Sequence, residues 1–332
     1  MLLASAHSPI SYFQALVIGL LQGVTELFPI SSLGHSVLVP ALFGWHTLVG
    51  EQAAKESPYL AFLVGLHCAT ALALVVYFRN DWVRIISGGF SSLGKRKAET
   101  SDERLFWLLV VVSIPVGLIG LAFEHTLRTT FAKPTAAAVF LFANGVILMT
   151  GERLRRADRV QALAATPAGG ELRDGAAPTD GAAPTDGAAS TSRGVQSRGR
   201  RQSRRLATLS YAEALIIGVF QAFALLAGIS RSGVTMVGGL VRGLDHEDAA
   251  RFSFLAATPV ILAAGLYKLH DLVGPNGSGI RGQVLAGSVV AAIAAYFAVS
   301  FLVRFFETRT LTPFAIYCLV VGAVLTVRFG LF

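Results

Sequence analysis

Two apolar stretches of this chain are broken in the middle, and each is a copy of the other. Ala15-Leu-Val-Ile-Gly-Leu-Leu-Gln22 recurs 199 residues later as Ala214-Leu-Ile-Ile-Gly-Val-Phe-Gln221. The register then runs on without a gap through Ile30-Ser31 and Ile229-Ser230 to Gly34 and Gly233. Apolar residues coincide easily by chance, but a Gly, a Gln, a Ser and a second Gly in one register do not. Looser echoes follow, Phe62-Leu63 in Phe254-Leu255 and Phe123-Glu124 in Phe306-Glu307. The chain is therefore read as an internal duplication, residues 1–150 and 210–332.

Six further apolar runs are unbroken and close to the ~20 residues that a membrane-crossing helix needs. They cover 58–78, 105–123, 134–150, 249–269, 283–303 and 313–329. Composition agrees, since 53% of residues are hydrophobic and 14% charged, against about a quarter charged in a soluble domain. This excludes disordered, collagenous and disulfide-rich secreted chains and leaves an all-α integral membrane protein. Cys68 and Cys318 both lie inside apolar runs, so they read as packing or lipid-facing residues rather than as a disulfide or a CxxC metal site.

The broken segments, 11–45 and 211–242, are too interrupted for one span and too short for two. Each reads as a re-entrant helical hairpin that enters and leaves by the same side. Each repeat then contributes three full crossings, and an odd number makes the two repeats inverted. Residues 151–209 between them are foreign in composition. Asp174-Gly-Ala-Ala-Pro-Thr recurs at Asp180 and nearly so at Asp186, followed by the basic run Arg198 to Arg205. Rich in alanine, glycine, proline and charge and without aromatics, such a segment cannot bury enough apolar surface to fold, and it reads as a disordered linker.

The linker region also explains the net charge of +8. Its eleven Arg against six Asp or Glu supply five of the eight charges, which makes a solvated loop that sets topology a better reading than a nucleic-acid surface. The loop 79–104 is basic too, with Arg79, Arg84, Lys95, Arg96, Lys97 and Arg104. Two crossings separate these loops, so the positive-inside rule places both in the cytoplasm. The first hairpin then dips in from outside and the second from the cytoplasm, their tips meet near the midplane, and both termini lie outside. Met1 to Pro9 lacks a basic start and a small-residue cleavage site, so no signal peptide is expected.

The tips carry the polar residues. The first reads Gln22-Gly-Val-Thr-Glu26-Leu-Phe-Pro-Ile-Ser31-Ser32-Leu-Gly-His35. Gln22 and Glu26 share a helix face; Pro29 stops that helix, Ser31 or Ser32 can cap the next, and His35 follows Ser32 by three. A carboxylate at membrane depth costs roughly 2.5 to 3.5 kcal/mol, so Glu26 does not face lipid. The second tip reads Gly228-Ile-Ser230-Arg231-Ser232-Gly-Val-Thr235. A cation at a helix N-terminus opposes the helix dipole. Either an anion such as phosphate, held by N–H groups and Arg231, or Glu26 across the tips removes that conflict. Together these groups suit phosphoryl transfer, with Arg231 offsetting charge and Glu26 or His35 handling protons or a metal. Glu26 and His35 are the sole strong ligands nearby, so a magnesium or calcium ion would lean on substrate phosphates. His67 in its apolar run reads as a hydrogen bond to a neighbouring helix, and Asp245 to Asp248 as a helix cap.

Both tip motifs closely resemble the two signature regions of the undecaprenyl-diphosphatase family, the bacitracin-resistance proteins. Asp248 to Pro259, Val76-Tyr-Phe-Arg79 and Pro313-Phe-Ala-Ile-Tyr317 are similar to that family too, so the resemblance covers nearly all of the chain outside the linker. It implies a multi-pass enzyme of the bacterial plasma membrane that opens to the outer face. The expected activity removes the terminal phosphate of undecaprenyl diphosphate, recycling the carrier lipid for cell-wall synthesis and conferring bacitracin resistance. By resemblance the catalytic residues are Glu26, Ser32, His35 and Arg231, with Ser32 or His35 as nucleophile. Gln22, Ser31, Ser230, Ser232 and Thr235 bind substrate, and a divalent cation, Mg or Ca, uses Glu26. The implied partners are the prenyl diphosphate lipid, the bilayer and, as one option, a second copy in a homodimer, with no nucleic acid. Two departures stand out: Gln22 is the uncharged choice at a position that also takes Glu, and Ala227 replaces the proline of Pro-Gly-x-Ser-Arg-Ser. The rival reading is a secondary transporter or lipid-phosphate translocase, because carriers also use inverted repeats with broken helices.

Overall fold

A computed structural model describes residues 9–54, 57–131, 133–164, 206–268, 272–274, 277 and 279–330. All of its regular structure is helical: α1 (Tyr12–Thr25), α2 (Ser32–Leu42), α3 (His46–Ala53), α4 (Pro58–Tyr77), α5 (Arg79–Lys95), α6 (Ser101–Phe131), α7 (Pro134–Ala164), α8 (Tyr211–Gln221), α9 (Arg231–Val241), α10 (His246–Tyr267), α11 (Arg281–Thr308) and α12 (Thr312–Gly330), with short 3-10 turns at Leu206–Thr208 and Ala222–Leu225. Among the described residues six helices, α4, α6, α7, α10, α11 and α12, are long and apolar enough to cross a membrane. Their outward faces carry large apolar side chains such as Leu118, Leu121, Leu285 and Phe297, each more than 60% exposed. Such faces suit lipid rather than water.

The duplication is visible in the helix ends. Ser11 caps α1 in a capping box with Gln14, and Ser210 caps α8 in a capping box with Glu213. Ser31 caps α2 by accepting from the Gly34 N–H, and Ser230 caps α9 by accepting from the Gly233 N–H. These pairs obey the register read from the sequence, because each cap satisfies an N–H that the helix leaves unpaired. Each half thus holds a helix, a tight turn and a second helix, followed by three long helices.

The halves interlock rather than sit side by side. α1 lies along α11, where a Cβ on Gly19 would stand 2.4 Å from the Gly287 carbonyl oxygen and one on Gly23 2.4 Å from that of Ala291. In the other half α8 meets α6 at Gly218, whose Cβ would stand 2.5 Å from the Val112 carbonyl oxygen. Small residues let backbones approach where lipid removes any hydrophobic drive for helix association. The third long helices, α7 and α12, run antiparallel: Thr135 bonds the Phe329 carbonyl, Gly145 packs on Leu319, Gly322 packs on Phe142, and Arg156 reaches Thr312. α4 and α10 are antiparallel as well, with Gly265 against Cys68 and Arg251 on Asp81. Antiparallel equivalents are consistent with inverted repeats.

Three local readings change. α7 continues to Ala164 instead of ending at Thr150, because its polar end is held: Glu152 bonds His246 Nε2 at 2.8 Å and Arg156 at 3.3 Å. At the other side of the linker Leu206 and Leu209 are buried, and the Leu206 N–H bonds Asp248. The expected disorder of the stretch between, 165–205, lies outside the described residues. Finally, the basic loop 79–104 contains α5, which buries Ile85, Gly89 and Ser92 while exposing Val83 and Phe90 beside Arg84. That pattern suits a helix lying in the membrane interface. Asp245 caps α10 as expected.

The glycine contacts generate a test. Gly23→Leu forces atoms into the backbone of α11, and overpacking of this kind costs about 1–3 kcal/mol or more. Gly50→Leu has open space. We expect the first variant to lose several degrees of melting temperature in detergent and the second to match wild type.

Candidate active site

The two hairpin tips meet, and a small set of buried polar contacts joins them. Ser31 adopts φ 70°, a region costly for a residue with a Cβ. Four bonds hold it there: its carbonyl accepts from His35 Nδ1 at 2.8 Å and from the His35 N–H at 3.2 Å, and its Oγ accepts from the N–H groups of Gly34 at 3.2 Å and Gly228 at 3.1 Å. Gly228, at φ 117°, leaves no room for a Cβ, which would fall 2.5 Å from the Ala137 carbonyl oxygen. The turn that lacks the proline at Ala227 is therefore set by Gly228 and by the opposite tip. Asn144, in the middle of α7, bridges both turns by donating to the Pro29 carbonyl at 2.9 Å and accepting from the Ser230 N–H at 3.0 Å.

Glu26 is the hub. It ends α1, its side chain is 5% exposed, and four partners surround it. Gln22 Nε2 donates to Oε2 at 2.9 Å, Ser32 Oγ donates to the same oxygen at 2.6 Å, and Arg231 Nη2 pairs with Oε1. His67 Nε2, from α4, stands 3.5 Å from Oε2. Arg231 is anchored behind by Nη1 on the Ala257 carbonyl of α10, 2.9 Å away. The arginine that begins α9 thus finds its counter-charge on the opposite hairpin. The N-termini of α2 and α9 abut here, and the first N–H groups of a helix lack partners of their own, which makes the junction receptive to an anion.

The residues expected here divide into two groups. Glu26, Ser32, Arg231 and Gln22 come together. Ser31, Ser230 and Ser232 stand at the same junction but build the turns: Ser230 and Ser232 share a hydrogen bond of 2.9 Å, and Ser232 also donates to the Phe28 carbonyl. Thr235 spends its hydroxyl on the Arg231 carbonyl within α9. His35 turns away. Because the Ser31 carbonyl can only accept, His35 Nδ1 carries the proton, so Nε2 accepts from the Tyr317 hydroxyl at 2.8 Å. Its ring stacks on Tyr317, and no hydrogen bond joins it to Ser32 or Glu26 among the described residues. The geometry makes it a brace for the strained Ser31. One residue gains a place that sequence reasoning missed, Asn144, whose signal was a polar side chain inside an apolar run without the motif context that made Glu26 conspicuous. His67, read as bonding a neighbouring helix, bonds the Leu63 carbonyl of its own helix through Nδ1 and turns Nε2 toward Glu26.

No group of three His, Cys, Asp or Glu among the described residues converges to hold a metal ion. Both Glu26 oxygens are already engaged by nitrogen or hydroxyl donors. The donor set does not fit a resident divalent cation.

Fold and site together define an integral membrane protein with a hydroxyl, a carboxylate and a guanidinium converging at the joined tips of two helical hairpins. Residues 15–324 match the family described as bacitracin resistance protein BacA. The chain is 59% identical to undecaprenyl-diphosphatase 2 of Frankia alni, over 97% of this chain and 99% of that one. It is 55% identical to undecaprenyl-diphosphatase of Mycolicibacterium paratuberculosis, over 96% of each. Identity to undecaprenyl-diphosphatase 2 of Chromobacterium violaceum is 39%, over 94% and 96%. The chain belongs to the bacitracin resistance protein BacA family.

Asn144 gives the site its own test. Asn144→Ala takes the side-chain acceptor from the Ser230 N–H and leaves the Pro29 carbonyl only the weak Cys318 thiol donor at 3.9 Å, at a cost of about 1–3 kcal/mol for an unpaired buried group. Thr235→Val loses a bond made within one helix. We expect a clear fall in detergent melting temperature for the first and little change for the second.

Proposed function

We propose that this chain is a membrane phosphatase that converts undecaprenyl diphosphate to undecaprenyl phosphate and inorganic phosphate, returning the carrier lipid to envelope synthesis and conferring bacitracin resistance. One observation carries the reading: the Ser32 hydroxyl donates at 2.6 Å to a buried carboxylate whose other oxygen is held by Arg231. A serine becomes nucleophilic only beside a base, and a carrier has no use for that pair. This favours the enzyme over the transporter reading.

In the proposed reaction Ser32 Oγ attacks the terminal phosphorus and passes its proton to Glu26 Oε2. The Oγ–P bond forms as the bond to the bridging oxygen breaks, and undecaprenyl phosphate leaves with the electron pair. Arg231 and the helix N-termini offset charge on the transferring group, the main contribution open to a protein in such reactions. Water then attacks phosphorus as the Oγ–P bond breaks, Glu26 returns its proton to Oγ, and phosphate leaves carrying both protons of the water. A magnesium or calcium ion, were it required, would depend on the substrate and water rather than on Glu26, whose oxygens are engaged by Gln22, Ser32 and Arg231, and would help offset phosphate charge. Ser31, Ser230 and Ser232 shape the binding surface, and Gln22 keeps Glu26 oriented.

The reading also includes an orientation. The site opens to the outer face of the plasma membrane, the linker is cytoplasmic and both termini are outside. The basic residues of the linker and of α5 with its following turn support this. The partners are the prenyl diphosphate lipid and the bilayer, with a homodimer as the proposed assembly and no nucleic acid.

Purified protein in detergent, given a prenyl diphosphate and a divalent ion, should release phosphate, and Ser32→Ala, Glu26→Ala and Arg231→Ala should each lower kcat at least ~100-fold. No release by wild type, or undiminished release by all three variants, would sink the proposal. For orientation, a cysteine placed in the linker should resist impermeant thiol reagents in intact cells, whereas labelling from outside would reverse the topology.

A further inference from the structure

His67 is unassigned in the reaction above, yet it is the second basic side chain at Glu26. Its Nδ1 lies 2.8 Å from the Leu63 carbonyl one turn earlier in α4. A carbonyl oxygen can only accept, so Nδ1 bears a proton and the ring is held with Nε2 facing Glu26 Oε2, 3.5 Å away. That is the oxygen to which Ser32 donates. The His67 side chain is 30% exposed while that of Glu26 is 5% exposed, so the imidazole is the more accessible of the two. The other charged and titratable groups around α4 are engaged elsewhere. Glu51 of α3 bonds the Tyr59 N–H, Arg251 of α10 pairs with Asp81 beyond the far end of α4, and Tyr296 of α11 packs on Tyr77.

Arg231 is the permanent cation paired with Glu26, and in the proposed reaction it must also serve a diphosphate. An incoming diphosphate competes for the guanidinium and brings further negative charge, and a buried carboxylate stripped of its partner is strongly disfavoured. We propose that His67 is a positioning residue that holds Glu26 toward Ser32 when the diphosphate draws Arg231 off the carboxylate. For this the partly exposed imidazole takes up a proton from solvent and donates Nε2–H to Oε2, closing the present 3.5 Å contact by a side-chain adjustment, while Oε2 itself stays unprotonated and free to accept the Ser32 proton. His67 acts through Glu26 and touches neither phosphorus nor leaving group. The inference rests on the phosphatase reading.

The experiment compares wild type, His67→Ala and His67→Gln for phosphate release from a prenyl diphosphate, with melting temperature recorded for each. Gln reaches the same place and supplies an N–H of its own. His67→Ala is expected to lower kcat ~10–100-fold with KM within ~3-fold of wild type, because alignment for the chemical step is lost and phosphate binding is not. His67→Gln is expected to recover kcat to within ~5-fold of wild type. Wild-type kcat in His67→Ala, a loss confined to KM, or equal loss in both variants would overturn the inference. If wild type releases phosphate and Glu26→Ala does not, those outcomes defeat the role of His67 alone; if wild type releases none, the phosphatase reading falls first.

Discussion

A carboxylate and a guanidinium buried together inside an apolar slab govern this molecule. Glu26 on one hairpin and Arg231 on the other are each costly alone at that depth, and each is the other's counter-charge. The pair joins the tips of the two hairpins. Around it, Ser31 reaches Gly228, Asn144 ties both turns, and Ser232 reaches the Phe28 carbonyl. Removing either charge leaves the other without its counter-charge in surroundings that solvate it poorly, so the pair that centres the candidate site also joins the halves.

The two hairpins share their capping pattern and differ in chemistry. Ser32 and Arg231 occupy the same repeat position, the first residue of the helix after each break. Glu26 corresponds to Leu225, while Gln22 and Gln221 are retained in both. One copy thus supplies hydroxyl and carboxylate, and the other supplies the cation. Gln22 has Glu26 to bond, whereas the amide of Gln221 is buried without a hydrogen-bond partner among the described residues. The architecture brings equivalent positions face to face, and divergence at two of them converts a structural junction into a polar site.

Much of this was legible beforehand. The six spans, the two broken hairpins and the capping serines follow from apolar length and from residues that stop or start helices. The convergence of Glu26, Ser32 and Arg231 followed from where lipid does not tolerate polarity. The end of α7 was not legible, because its continuation depends on Glu152 meeting His246 of the second half. Helix α5 was hidden in a basic loop because its buried face is small. His35 and His67 exchanged emphasis for a related reason: spacing along a helix gives a face but not which neighbour that face meets.

The sequence by itself determined that this is a duplicated all-helical membrane chain with two interrupted segments, and which few polar residues interrupt them. Those properties depend on local chemistry, on apolar length, helix caps, proline and glycine, and on the cost of charge in lipid. Only the tertiary structure decided that α1 packs on α11 of the other half, that Asn144 binds both turns, and that Tyr317 takes His35 while His67 faces Glu26. Those contacts join residues from different helices, and which faces meet is set by packing and hydrogen-bond satisfaction across the whole bundle.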